Sequence, residues 1–208
     1  GVDSSNAEYK AADARGAKPE FITKTMCEVE MAAHAGSVLE IERGANGKWS
    51  VVPSANSEPY QVRVLVRRPA HAARFNGIVL VEWGNVSGQR ATSSDWAYAP
   101  QAIMREGYAY VGVTAQYLGV KALSAWESGD GARYKTVRHP GDSFSFDIFS
   151  QAGRAIRAPQ SGDPKPLGKL TSRIKSVIAT GQSQSGGRMI TYANAIQPID
   201  QVFDGLIV

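Results

Sequence analysis

The apolar positions of this chain change their period part-way along it. From Phe21 to Val66 they fall in short alternating stretches, "EVEMAAHAG", "SVLEIERGANGKWSVV" and "YQVRVLVRRP", separated by turn signals. Alternation predicts strands with one buried face, and Asn46-Gly47 predicts a hairpin tip, so this region reads as antiparallel sheet. Further on, "GIVLVEW" (77–83) and "YAYVGVTA" (108–115) are compact apolar runs of the kind found in strands covered on both faces. "RIKSVIAT" (173–180) and "VFDGLIV" (202–208) read as two more strands.

Helical patterns lie between these runs. "APQAIMREG" (99–107) has Pro100 suited to a first turn and Gly107 to a C-terminal cap. "DSFSFDIFSQAGRAIR" (142–157) opens with Asp142 or Ser143 as a cap and repeats apolar residues at Phe144, Ile148, Ala152 and Ile156, which is one helix face. "SGGRMITYANAI" (185–196) predicts a helix that ends before Pro198, whereas residues 116–141, rich in Gly and charge, read as a loop. Strands alternating with helices predict an α/β fold with a mainly parallel sheet, right-handed crossovers and antiparallel N-terminal strands. Residues 1–20 carry no period and read as a flexible arm, and 21–208 as one domain.

Composition narrows the function classes. At 208 residues, with 43% apolar and 20% charged positions, the chain can bury a real core as one domain. A net charge of +4 with scattered Lys and Arg, Arg67-Arg68 being the only adjacent pair, argues against a nucleic-acid surface. The longest aliphatic run, Ile78 to Val81, is far short of the roughly 20 residues of a membrane span, so no membrane partner is expected. The chain opens at Gly1 without a basic n-region or apolar h-region, so any signal peptide is expected to be already removed or never present. A single cysteine, Cys27, excludes an internal disulfide and a Cys-rich metal site, and leaves the compartment unassigned.

The chemistry concentrates in "IATGQSQSGGRM" (178–189). A tight turn from strand to helix carrying small-x-Ser-x-small is the pattern of a nucleophile elbow, because strand end and helix start approach closely around a strained serine. Two registers fit, one centred on Ser183 and one on Ser185. The apolar strand stops at Ala179-Thr180, so Gly181 is the first residue able to begin the turn, which favours Ser183. The Gln184 N-H at the helix start is then one oxyanion donor. The loop after an earlier buried strand, "VEWGN", offers the Asn85 N-H as a second, with Trp83 as a pocket wall. Gly181-x-Ser183-x-x-Gly186 differs from the dinucleotide fingerprint at its second glycine, and no acidic residue closes the next strand in the way that fingerprint requires.

The blocks "VEWGNVSG", "GYAYVGVTAQYLGV", "HPGDSFSFDIFSQAGRAI" and "TGQSQSGGRMITYANAIQP", in this order, resemble a family of alpha/beta hydrolase domain proteins whose elbow reads Gly-Gln-Ser-Gln-Ser. The resemblance covers roughly residues 60–208. It implies a serine hydrolase acting on carboxylic esters through an acyl-serine intermediate, with Ser183 as nucleophile. In this fold the acid and the histidine follow the nucleophile in chain order. Here Asp200 and Asp204 follow Ser183 but no histidine does, so 21–208 is expected to be the N-terminal portion of the domain, with the acid and histidine beyond residue 208.

His139, in "HPGD", is the one histidine expected on the active-site edge, as a pocket residue; His34 and His71 read as surface residues. Trp126 and Tyr134, in the 116–141 stretch, are further candidates for a pocket wall. No metal or organic cofactor is implied, since no His-Glu-x-x-His, Cys pair or phosphate loop is present. The expected partner is a small ester substrate; a protein partner would be the rest of the domain or a second copy. The alternative reading is a catalytically incomplete binding or structural half that needs a second polypeptide.

Overall fold

The apolar runs of the second half form the middle of one sheet. A computed structural model describes residues 8–10, 20–26, 36–125, 134–159 and 165–208. The strands are β1 (Glu8–Lys10), β2 (Glu20–Met26), β3 (Gly36–Arg43), β4 (Trp49–Glu58), β5 (Val64–Pro69), β6 (Ile78–Trp83), β7 (Ala109–Val113), β8 (Ser176–Thr180) and β9 (Gly205–Ile207). Seven of them make a sheet in the order β1-β2-β5-β7-β6-β8-β9, and β3 and β4 make a separate hairpin. Neighbours from β1 to β7 are antiparallel, while β7, β6, β8 and β9 run parallel. This is the α/β sheet with antiparallel N-terminal strands that the patterning predicts. Within the stretch expected as an arm, Glu8–Lys10 pairs with β2.

The helices are α1 (Ser94–Tyr98), α2 (Pro100–Arg105), α3 (Tyr117–Ser124), α4 (Ser145–Arg157), α5 (Gln184–Thr191) and α6 (Gln197–Asp200). Val79, Val81, Val111, Val177 and Ala179, which share one face of the sheet, have no exposed surface, while Ile78, Leu80 and Ile178 on the other face are half-buried, so the covering expected on both faces is complete on one only. The predicted stripe Phe144, Ile148, Ala152 and Ile156 is buried, and beside it Phe149 meets Trp83 at 4.9 Å, Phe203 at 5.2 Å and Tyr192 at 5.5 Å between ring centres. Each such ring pair adds about 0.5–1.5 kcal/mol beyond its buried area. The hairpin tip is also as predicted: Gly47 sits at φ +77°, and Asn46 Oδ1 accepts the Lys48 N-H at 3.0 Å.

Three expectations are corrected. Residues 117–124, expected as loop, form α3, whose interior Gly119 is needed because a Cβ there would lie 2.8 Å from Thr114 Cγ2 and 3.0 Å from Ala91 Cβ. Asp142 does not cap its own helix; its carboxylate accepts the first N-H of α3, from Tyr117, at 2.7 Å. The helix after the serine-rich turn does not stop before Pro198. It passes through a π-helical stretch, Tyr192–Ile196, into α6, and Pro198, directly after that stretch, lies inside the continuous helix.

One buried charge ties the sheet to its helices. Glu82 on β6 has no exposed surface, and its carboxylate accepts the N-H groups of Ser94 at 2.5 Å and Asp95 at 3.2 Å, the first turn of α1. The Tyr110 hydroxyl on β7 donates to the same carboxylate. Burial pushes the Glu82 pKa up, against the lowering pull of the Tyr110 hydroxyl and of the two N-H groups. Arg67 on β5 completes the layer, its guanidinium 4.3 Å above the Trp96 ring.

An acid whose folded pKa exceeds its unfolded one binds more protons when folded, so its contribution to stability falls as pH rises. Wild-type stability minus that of Glu82→Gln is therefore expected to decline from the ordinary carboxylate pKa of 4.5 toward neutrality. Urea unfolding of both proteins across that range measures it, and a flat or rising difference contradicts the assignment.

Candidate functional site

The order of the strands locates the site before any side chain is considered. From β6 the chain crosses through α1 and α2 to β7 on one side, then through α3 and α4 to β8 on the other. Ligands in open α/β sheets bind at the carboxyl ends of strands where such a reversal occurs. The two loops at this reversal follow β6, beginning at Gly84, and β8, beginning at Gly181.

After β8 the chain makes a turn that no unconstrained serine would adopt. Ser183 has φ +56° and ψ −117°, is exposed, and does not cap α5, which begins at the next residue. Ser185 is fully buried; its hydroxyl donates to the Gln182 carbonyl at 2.9 Å and accepts the Gln182 N-H at 3.0 Å. One serine is thus open to solvent and the other is locked into the backbone. A Cβ on Gly181 would lie 2.5 Å from Met189 Cγ and 2.8 Å from the Ser185 carbonyl oxygen, so only glycine fits there. In the first turn of α5, Ser185 N-H bonds the Gln182 carbonyl and Gly187 N-H bonds that of Ser183, whereas the Gln184 N-H has no backbone acceptor among the described residues.

The loop after β6 is sewn to this turn differently from expectation. The Asn85 N-H is occupied, donating to the Thr92 carbonyl at 3.0 Å, so it is not a free oxyanion donor. Asn85 acts through its side chain: Nδ2 donates to the Gln182 carbonyl at 2.8 Å, and Oδ1 accepts the Ser87 N-H at 2.9 Å. The next N-H, from Val86, donates to Gln184 Oε1 at 3.4 Å and to no other group among the described residues.

Gln184 is in turn held by Gln116, a residue that sequence reasoning missed. Gln116 is buried, and its Oε1 accepts both Gln184 Nε2-H at 3.0 Å and Trp83 Nε1-H at 3.1 Å. Its Nε2 donates to Asp142 Oδ2 at 3.4 Å. Asp142 also lies 3.5 Å from the Arg188 guanidinium of α5, so one carboxylate joins α3 and α5 beside the turn. The available signal was position: a glutamine three residues past a fully buried strand, on the carboxyl edge.

The expected pocket residues fare less well. Trp83 is fully buried, with its ring 5.4 Å from Phe146 and 4.9 Å from Phe149, so it belongs to the core and walls no pocket. His139 is buried too; Nε2 bonds the Ala115 carbonyl at 2.9 Å, which requires a proton there, and Nδ1 accepts the Gly141 N-H at 3.1 Å. Burial lowers its pKa, against the raising effects of the Ala115 bond and of Asp142, and both nitrogens are engaged, so it fixes loops instead of facing a ligand. Tyr134 is buried, and Trp126 lies outside the described residues. Asp200 pairs with Arg154 at 2.9 Å, and Asp204 pairs with Arg157 while accepting the Val177 N-H at 2.7 Å.

This architecture coincides with a sequence match: the profile of the alpha/beta hydrolase domain family covers residues 31–208. The chain belongs to that family. No curated protein matches it. Among solved structures it is similar to brefeldin A esterase, a bacterial homologue of human hormone-sensitive lipase, at 14% identity and TM-score 0.39, over 83% of this chain and 39% of that one. It is also similar to the α/β serine hydrolase XC6422 of Xanthomonas campestris, at 14% identity and TM-score 0.38, over 76% of this chain and 56% of that one. A third is the cell-wall-degrading esterase LipA of Xanthomonas oryzae, at 16% identity and TM-score 0.37, over 89% of this chain and 40% of that one. The chain thus spans about 39–56% of the length of these structures.

Two substitutions test the turn as a physical object. Gly181→Ala should lower stability by about 1–3 kcal/mol, because the methyl group meets Met189 and backbone that cannot retreat. Ser183→Gly should exceed Ser183→Ala in stability by about 1–2 kcal/mol, since glycine relieves the positive φ and alanine does not. Denaturant unfolding measures both, and equal stability of the two Ser183 variants would contradict strain at that residue.

Proposed function

We propose that the protein is a serine hydrolase of carboxylic esters in which Ser183 is the nucleophile. The observation that carries this reading is an exposed serine at positive φ on the N-terminus of α5, beside the Gln184 N-H, which has no backbone acceptor among the described residues. Its Oγ attacks the ester carbonyl as a histidine takes its proton. The oxyanion is held by the Gln184 N-H and, in place of Asn85, by the Val86 N-H, whose 3.4 Å contact to Gln184 Oε1 is weak enough to exchange. The alcohol leaves with the proton, and water releases the acyl group from the serine.

The reading places the histidine and acid after residue 208, in the chain order of this fold. His139 is engaged at both nitrogens, and His71 precedes β6, at the sheet edge opposite Ser183. Asp200 and Asp204 are each bound to an arginine. Gln116 serves as a positioning residue, holding the Gln184 side chain next to the Val86 N-H.

Ser183→Ala is expected to lower kcat on an aryl ester by roughly 10⁴-fold or more, and a fluorophosphonate should label wild type once, on the peptide carrying Ser183. An active Ser183→Ala variant or a label on Ser185 would overturn the assignment, and a folded protein that takes no label would favour the incomplete binding half. Gln116→Ala should lower kcat about tenfold with a smaller change in KM, because it disturbs a group aligned to the developing charge and not to the ground state. Steady-state kinetics separates the two parameters, and an effect confined to KM would remove Gln116 from this role.

A further inference from the structure

A second feature on the same sheet edge is independent of Ser183. A cavity of about 550 Å³ lies between the loop after β6, α3 and Arg63, with Arg90, Gln89, Gly119, Ala122 and Leu123 among its lining residues. Arg63 directly precedes β5, and its carbonyl accepts the Thr114 N-H just past β7 at 3.0 Å, which puts it at the carboxyl end of the parallel strands. The volume is that of a small-molecule site.

The lining is unbalanced in charge. It holds two guanidinium groups and one side-chain amide, over a floor of small and aliphatic side chains, and no carboxylate is among the described lining residues. Neither arginine makes an ion pair among the described residues. Planar guanidinium groups fit carboxylate and phosphate oxygens in pairs. We propose that this cavity binds a small organic anion, a carboxylate or a phosphate monoester with a short apolar body, which goes beyond the ester-hydrolase reading and does not require it.

Fluorine NMR titration of the wild-type protein with 4-fluorobenzoate, 4-fluorophenyl phosphate and 4-fluorobenzyl alcohol tests this. Saturable binding of at least one anion is expected, with the neutral alcohol at least about tenfold weaker. Whichever anion binds more tightly identifies the headgroup. Arg90→Gln should weaken that anion about tenfold, and Ala122→Phe, which fills the cavity from a half-buried position on α3, should abolish saturation. Failure of both anions to bind, equal binding of the alcohol, or affinity unchanged in both variants would each overturn the proposal. Fluorophosphonate labelling of Ser183 in the same samples reads the esterase assignment separately, so either can fail alone.

Discussion

The peptide group of Gln182 is the point on which the rest of the site depends. Its carbonyl accepts three donors, the Ser185 N-H at 3.1 Å, the Ser185 hydroxyl at 2.9 Å and Asn85 Nδ2 at 2.8 Å, while its own N-H donates to Ser185 Oγ. A non-glycine residue at φ +56° costs on the order of 1–3 kcal/mol and persists only where its surroundings determine it several times over. Anchoring Gln182 from three directions, with Gly181 packed under Met189, supplies that determination for Ser183. The strain is held by neighbours in the loop after β6 and on α5, so the turn is set by tertiary contacts and not by local propensity.

β6 is the strand that carries both sides of this arrangement. Consecutive residues on a strand face opposite ways, and on β6 the consecutive pair is Glu82 and Trp83. Glu82 binds the start of α1 and the Tyr110 hydroxyl, fixing the helical layer and β7 on one face. Trp83 packs on Phe146 and Phe149 of α4 and donates its indole N-H to Gln116 on the other. The loop leaving β6 is thus held on both faces before it reaches Asn85. A buried carboxylate is a costly way to do this, and its raised pKa records the cost.

Most of the architecture was legible because it follows from period. The buried strands, the α4 stripe, the hairpin tip and the small residues about Ser183 are each consequences of which side chains can sit where, and a single sequence displays them. Helix α3 was hidden because its Gly119 reads as a loop signal, whereas it answers a close contact with Ala91 and Thr114 that only the fold creates. Asp142 was read as a cap for the nearer helix, since sequence spacing favours local partners, yet its bond goes across to Tyr117. Asn85 shows the sharper limit: the right residue was singled out for the wrong atom. A sequence can mark a loop as close to a site, but whether its N-H or its amide side chain faces inward depends on the Asn85–Thr92 bridge, which nothing in "GNVSG" announces.

The side-chain amides at the site admit only one orientation, and this bears on how it would respond to a substrate. An indole N-H can only donate, so Trp83 requires Gln116 to present its oxygen. That oxygen must then receive the NH₂ of Gln184, which leaves Gln184 Oε1 toward Val86, whose N-H can again only donate. At the other end, the Gln116 NH₂ meets the Asp142 carboxylate, which can only accept when ionised. Every link is compatible with its neighbours, and flipping either amide would set two donors or two acceptors against each other. The bonds at the centre of the chain are 3.0–3.1 Å, while its last, to the Val86 N-H, is 3.4 Å. The network is tight inside and slack at both ends, the Gln116–Asp142 contact also being 3.4 Å, so it fixes Gln184 while leaving the Val86 N-H able to turn to a better acceptor, as the proposed oxyanion role would ask of a donor.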